Sequence, residues 1–300
     1  MLFAVWDCMH PNCPRISCIS TSSQTIKSGS FFRKSDSKTI QRFKCKACRK
    51  SFSRATSNPC FGQNKRRINA TLEVFFCSGV SQRRAARILK IHRTTVARKL
   101  QFLANQARMK NEQFLLGYAK NKIAQVQFDD LETFEHTKCK PLSVTLAVET
   151  ETRKFLGFEV SRMPAKGLLA KISVEKYGIR ADERKKGLHD LFDALKKTVH
   201  SKALFESDKN PHYVKLMKAH FPDCTHKAFL GRDSCIVGQG ELKKIGYDPL
   251  FSLNHTCAML RANINRLFRK TWCTTKKPEA LVWHLTLYMK YHNEVLTAQR

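Results

Sequence analysis

Between residue 64 and about residue 120, apolar side chains recur at helical spacing. Ile68, Leu72, Phe75 and Phe76 share one face of a helix predicted from Arg67 to Cys77, which Ser78-Gly79 ends. Ser81 is a ready N-cap for a second helix, Gln82 to Leu89, with Ala85, Ala86 and Leu89 inward. The turn Lys90-Ile91-His92 leads to a third helix, from about Arg93 to Arg108, with Val96, Leu100 and Leu103 inside. From residue 123 the period shortens to two. Ile123 to Phe128 alternates and ends on Asp129-Asp130; Leu142 to Val148 and Phe155 to Val160 alternate too, so a three-stranded antiparallel meander is predicted. A helix over Asp182 to Val199, a strand over Ala203 to Ser207 closing on Asp208, and a helix over Tyr213 to Phe221 follow. Residues 1 to 58 carry neither period and are polar, turn-rich and cysteine-bearing.

These patterns predict a multidomain α+β protein in three parts. Residues 1–58 form a small metal-stapled ribbon, 64–120 a helix-turn-helix domain, and 121–300 an α/β domain. Strand, strand, strand, helix, strand, helix is the order of an RNase H-like domain, with a mixed five-stranded sheet expected. In a helix-turn-helix the third helix reads base edges with its first turns. Its outward positions are expected to be Arg93, Thr94, Thr95, Arg98 and Lys99, and Arg and Thr suit guanine edges and thymine methyls. Arg83 and Arg84 on the second helix suit backbone phosphate. A basic surface helix touching only phosphate would carry the same residues.

Charge sharpens this picture. The chain has a formal net charge of +31, with 42% hydrophobic and 26% charged residues, so it folds and yet expects a polyanion as partner. Residues 1 to 110 hold 23 Lys or Arg against 3 Asp or Glu, a front arm nearly free of acids. Phosphate binding requires this, because each neutralised phosphate releases counterions. No apolar run approaches the roughly 20 residues that span a bilayer, and Met1 to Trp6 is too short for a signal peptide. A cytoplasmic protein acting on the chromosome is therefore expected, with no membrane partner and its twelve cysteines reduced.

Two cysteine pairs, Cys8 with Cys13 and Cys45 with Cys48, have the spacing of tight turns that present four thiolates to one zinc ion. Phe31, Phe32, Ile40 and Phe43 between them suit the small sheet of a zinc ribbon. His10 and Cys18 are rival ligands, and incidental cysteines remain the plain alternative. A module this small lacks the core to fold without such a staple.

In the RNase H-like order the first and fourth strands lie side by side, so Asp129 and Asp208 would converge on one point. Converging acids bind divalent metal, and paired Mg²⁺ ions serve phosphoryl chemistry. An aspartate at a strand end is otherwise an ordinary turn cap. The chain as a whole resembles bacterial insertion-sequence transposases that combine a zinc ribbon, a helix-turn-helix and a DDE-type domain. The resemblance rests on Cys13-Pro14, Arg42-Phe-Lys-Cys45-Lys-Ala-Cys48-Arg-Lys-Ser-Phe52, Gly79 to Leu89, Phe128-Asp129-Asp130, Ser207-Asp208-Lys-Asn-Pro211 and Asn254 to Thr271. It implies Asp129 and Asp208 as ligands of Mg²⁺ or Mn²⁺, and a third ligand with a basic residue seven positions later. Asn254 with Arg261 fits that spacing on one helical face, with Asn in place of the commoner Glu. Glu241, in a glycine-flanked segment, is the alternative. A basic helix is expected to continue through Asn265, Arg266, Arg269 and Lys270.

The resemblance further implies binding to terminal inverted repeats and to target DNA, strand cleavage and transfer, and a homodimer or larger assembly. A site-specific DNA binder that has lost catalysis is the second expectation, and a junction or RNA nuclease of similar fold the third.

Overall fold

The computed structural model describes residue 13 and residues 25–34, 37–53, 55–56, 58–230, 248–268 and 273–297. The chain divides into two compact units, Met1–Thr71 and Leu72–Arg300.

The first unit carries three short antiparallel strands, β1 (Thr25–Arg33), β2 (Lys38–Cys45) and β3 (Ser51–Ser53), in that spatial order. Phe43 of β2 is buried and its ring stacks on Phe52 of β3, centroids 5.8 Å apart. Phe31 lies beneath the Arg42 guanidinium at 4.9 Å, whereas Phe32 is 60% exposed and takes no part in a core. Among the described residues up to Ile68, the buried apolar side chains are Cys13, Phe43, Cys45 and Ala55.

The helices α1 (Asn69–Phe76), α2 (Gln82–Ile88) and α3 (Arg93–Leu116) follow the expected pattern. Ser81 caps α2 by accepting from the Arg84 amide at 3.2 Å. His92 Nδ1 caps α3 by accepting from the Thr94 amide at 3.3 Å. α3 runs well past Arg108, because its buried stripe continues through Ala104, Ala107 and Asn111. That extension packs on α8 (Pro278–Tyr291), where Asn111 Nδ2 donates to the Thr286 carbonyl at 3.0 Å.

The remaining strands are β4 (Ile123–Phe134), β5 (Pro141–Glu149), β6 (Phe155–Arg162), β7 (Val199–Asp208) and β8 (Thr225–Phe229). They form one five-stranded sheet in the order β6-β5-β4-β7-β8. β5 is antiparallel to both β4 and β6, while β7 is parallel to β4 and β8 to β7. This mixed α+β arrangement, with first and fourth strands adjacent, is consistent with the RNase H-like fold. Helices α4 (Leu169–Tyr177), α5 (Arg184–Leu195), α6 (Pro211–His220) and α7 (Phe251–Asn263) complete the unit.

Phe128 organises the core on one face of the sheet. Its ring meets Phe192 of α5 at 5.1 Å, Tyr213 of α6 at 5.0 Å and Phe205 of β7 at 6.1 Å. Two expectations need correction. β4 does not end at Asp129-Asp130, because β5 pairs with it as far as Phe134 opposite Pro141 and holds both acids inside the strand. The last helix does not continue as one basic rod: Ile264 is extended (φ −99°, ψ 107°), which stops α7 at Asn263 before a short 3-10 turn over Asn265–Leu267. Arg269 and Lys270 lie outside the described residues. No helix among the described residues is long and apolar enough to cross a membrane.

Candidate functional site

The acidic site is built from strand register. Gln127 of β4 stands opposite Glu206 of β7, and their side chains meet, Gln127 Nε2 donating to Glu206 Oε2 at 2.9 Å. The paired register ends there; carried one pleat further, it would bring Asp129 and Asp208 to the same face, and the charge of Asp208 acts on Asp129. Asp130, the next residue, points to the opposite face. There it accepts from Thr145 Oγ1 of β5 and lines a small cleft with Arg184, Asn210 and His212.

Both aspartates are hard to ionise. Asp129 is pushed up to about 7, by burial first and then by the charges of Asp208 and Asp130, against the stabilising Asp130 amide and Tyr213 hydroxyl. Asp208 is also raised, again by burial first, with Asp130 adding and the Asn210 amide opposing. Asp208 Oδ1 is buried without a hydrogen-bond partner. A buried, unsatisfied carboxylate oxygen beside a second carboxylate fits a cation. Tyr213, 2% exposed, donates its hydroxyl to Asp129 Oδ1 at 3.2 Å and so fixes that carboxylate's rotamer.

Gln127 also secures the neighbouring helix. Its Nε2 donates to the Pro249 carbonyl at 2.8 Å, and its Oε1 accepts the Leu253 amide at 3.0 Å, one of the unpaired donors of the first turn of α7. Asn254, Cys257 and Arg261 form a stripe along that helix, at spacings of three and four. The Cys257 thiol is pushed up to about 12, by burial first and then by the charge of Asp129, with Arg261 acting in the opposite direction. The stripe therefore lies within electrostatic reach of Asp129. Asn254 itself is exposed, and its Nδ2 donates to Asp248 at 3.0 and 3.3 Å. The carbonyl oxygen, the atom a cation would take, is outside that contact. Glu241 falls outside the described residues.

Among the described residues, three or more His, Cys, Asp or Glu side chains come close enough to share an ion only at Cys13, Cys45 and Cys48, whose Sγ atoms lie within 4.8 Å of one another. Cys13 Sγ and Cys45 Sγ are 3.9 Å apart. Cys45 closes β2 and its amide donates to the Lys50 carbonyl at 3.0 Å; Arg49 takes the left-handed conformation (φ 56°) that closes the turn. The amides of Cys48 and Ala47 point at the Cys45 sulfur and, with the two neighbouring thiols, lower it to about 7 against burial. A thiol that readily becomes a thiolate suits metal ligation. Cys8, His10 and Cys18 are outside the described residues.

On α2 and α3, Arg83, Arg84, Arg93, Thr94 and Arg98 are exposed and Thr95 is half-buried. Thr94 Oγ1 is engaged by His92 Nδ1 at 2.8 Å. Lys99, expected to point outward, is 6% exposed. It lies three residues after Val96 and four before Leu103, within the stripe that α3 buries. Tyr213, Gln127, Cys257 and Asp248 escaped the sequence reading. Only Cys257 carried a usable signal, its spacing of three from Asn254.

No protein-family model and no curated protein matches the chain. Among solved structures it is similar to one described as the Mos1 transposase paired-end complex with left transposon end. Identity is 11% and the TM-score 0.24, over 77% of this chain and 78% of that one, and so loose an overlap gives no residue correspondence.

Proposed function

We propose that the protein is a DNA transposase that binds the terminal inverted repeats of its own mobile element, cuts at the element ends and joins them to target DNA. The reading is supported by Asp129 and Asp208 on the adjacent parallel strands β4 and β7, each acidic group shifted up by burial with the charge of Asp208 acting on Asp129, by an unsatisfied buried oxygen on Asp208, and by Cys257 of α7 within the influence of Asp129. The likeness of the sequence motifs to insertion-sequence transposases supports it, as does the nearly acid-free front arm. The three-part layout belongs to the same proposal: a ribbon over residues 1–58, a helix-turn-helix over 64–120 and a catalytic domain over 121–300.

Asp129, Asp208 and Asn254 would hold Mg²⁺ or Mn²⁺, ions whose chemistry when bound is to activate a water or 3′-hydroxyl and to stabilise the leaving oxygen. Tyr213 keeps one lone pair of Asp129 occupied and its carboxylate oriented. Arg261 supplies positive charge for a scissile phosphate. Cys13, Cys45 and Cys48, with Cys8, would hold zinc as a structural ion. Arg83, Arg84, Arg93 and Arg98 suit phosphate and base contacts, with Thr94 and Thr95 beside them. Two element ends must be held at once, so a dimer or larger assembly on DNA follows from the reading.

A second reading, a site-specific DNA binder without catalysis, is favoured by one feature: Asn254 brings no negative charge and is engaged with Asp248. Incubating the protein with Mg²⁺ and a DNA fragment carrying the sequences that flank its gene, then mapping nicks, separates the two. Cuts at two fixed positions support transposition. Protected sites without cuts leave only the binder.

A further inference from the structure

Gly79, in the turn between α1 and α2, is bound through both of its backbone polar groups to the far end of α7. Its amide donates to the Asn263 carbonyl at 2.7 Å, and its carbonyl accepts from Asn265 Nδ2 at 3.0 Å. Glycine alone suits this position. It takes the left-handed conformation (φ 72°), and a Cβ there would stand 2.7 Å from Cζ of Phe268 and 3.4 Å from the Ala262 carbonyl oxygen. Asn263 is itself tied down, its Nδ2 donating to the Met259 carbonyl at 3.0 Å and to the Tyr288 hydroxyl of α8 at 3.3 Å.

The helices near this turn are fixed to α8 as well. Phe76 of α1 meets His284 edge-on, Glu73 of α1 pairs with Lys290, and the buried stripe of α3 packs along α8, where Asn111 bonds to Thr286. All of these residues belong to the compact unit Leu72–Arg300. The opposite end of α7 is held beside the aspartates. Gln127, two residues before Asp129 on β4, accepts the Leu253 amide and donates to the Pro249 carbonyl. From Leu253 to Asn263 the helix spans about 15 Å, so it runs from the acidic strand to the Gly79 turn. Side chains on a helix fixed at both ends are held more closely than on a loop. A flexible tether would leave the distance between α3 and the aspartates open, and this clasp closes it.

We propose that Gly79 and Asn265 are positioning residues that lock α2 and α3 to the end of α7, so that the cut falls at a fixed distance from the sequence α3 reads. The inference rests on the transposase reading and adds a fixed spacing, which that reading does not require. The experiment uses the full chain, Mg²⁺ and DNA carrying the gene's flanks, with a few base pairs inserted between the protected sequence and the mapped cut. With wild type, the cut should move with the protected sequence or be lost. A cut that stays at its original sequence overturns the proposal and leaves transposition intact. A wild type that cuts neither substrate overturns the transposase reading, and the spacing with it. Asn265→Asp keeps the shape of the side chain but sets an acceptor against the Gly79 carbonyl. At equal DNA occupancy it should spread the cut over neighbouring positions and slow single-turnover cutting by up to about a hundredfold, and Gly79→Ala should do the same. Cutting by both variants at wild-type speed and at the single wild-type position would also overturn the proposal. The displaced substrates need only the wild-type protein, so they decide the matter even where a variant does not fold.

Discussion

His284 on α8 is fully enclosed, and neither ring nitrogen has a hydrogen-bond partner. Its ring stands edge-on to Phe76, centroids 5.5 Å apart. Burial first, then the charge of Arg266, hold it well below the usual imidazole value of 6.5. A depressed native pKa means that the unfolded chain takes up the proton first. The stability contributed by the neutral ring is therefore full above pH 6.5 and is lost as the pH falls below it, by about 1.4 kcal/mol per pH unit. His284→Leu should flatten that slope and stabilise the protein at pH 5, as urea titrations at several pH values would show; a slope identical to wild type would contradict it. Lys99 and Arg98 make a second contrast between neighbours. Arg98→Ala, at an exposed position, should weaken specific DNA binding by about 1–3 kcal/mol and spare folding. Lys99→Ala should lower the unfolding midpoint, because its side chain is buried. The outward assignment of Lys99 came from reading the first turns of α3 alone. The stripe that buries it is visible only when the helix is followed to Leu116.

Gln127 shows how much one buried amide can do between elements. It joins β4 to β7 through Glu206 and holds the start of α7 through Pro249 and Leu253. Gln127→Leu keeps the volume roughly constant but strands a carboxylate, an amide and a carbonyl. The expected cost is about 2–4 kcal/mol of stability, read by denaturant unfolding. A change within experimental scatter would mean that α7 is anchored elsewhere. Sequence periodicity predicted the meander, α2 and the first four turns of α3, because each buries a continuous face. It missed the continuation of β4 past Asp129 and Asp130, since acids in mid-strand persist only through pairing with β5 along its whole length. It also missed β8, a five-residue strand whose side chains are all exposed or half-buried and so carry no alternation. The end of α7 had no Gly or Pro to announce it, only an extended Ile264.

Across the whole molecule, the sheet order was legible because a meander followed by a crossover helix leaves few places for the fourth strand. The adjacency of the strands that carry Asp129 and Asp208 was legible for the same reason, whereas Tyr213 and Gln127 depend on packing that no spacing encodes. The two compact units should also separate in their need for metal. Chelation should loosen Met1–Thr71, seen as faster hydrogen exchange in β1–β3, and leave Leu72–Arg300 protected. Unchanged exchange in β1–β3 would remove zinc from the account of that unit. DNA affinity should fall steeply with salt, log affinity changing by about 0.9 per phosphate contacted for each tenfold change in concentration. The central claim is that the aspartate pair and α7 form a strand-cutting centre. Its most direct measurement is Mg²⁺-dependent cleavage of DNA carrying the gene's flanks, compared among wild type, Asp129→Ala, Asp208→Ala, Asn254→Ala and Glu241→Ala at equal DNA occupancy. The account predicts that the first three substitutions abolish cutting and that Glu241→Ala retains it; an active Asp129→Ala or Asp208→Ala protein, or a wild type that binds and never cuts, would contradict it.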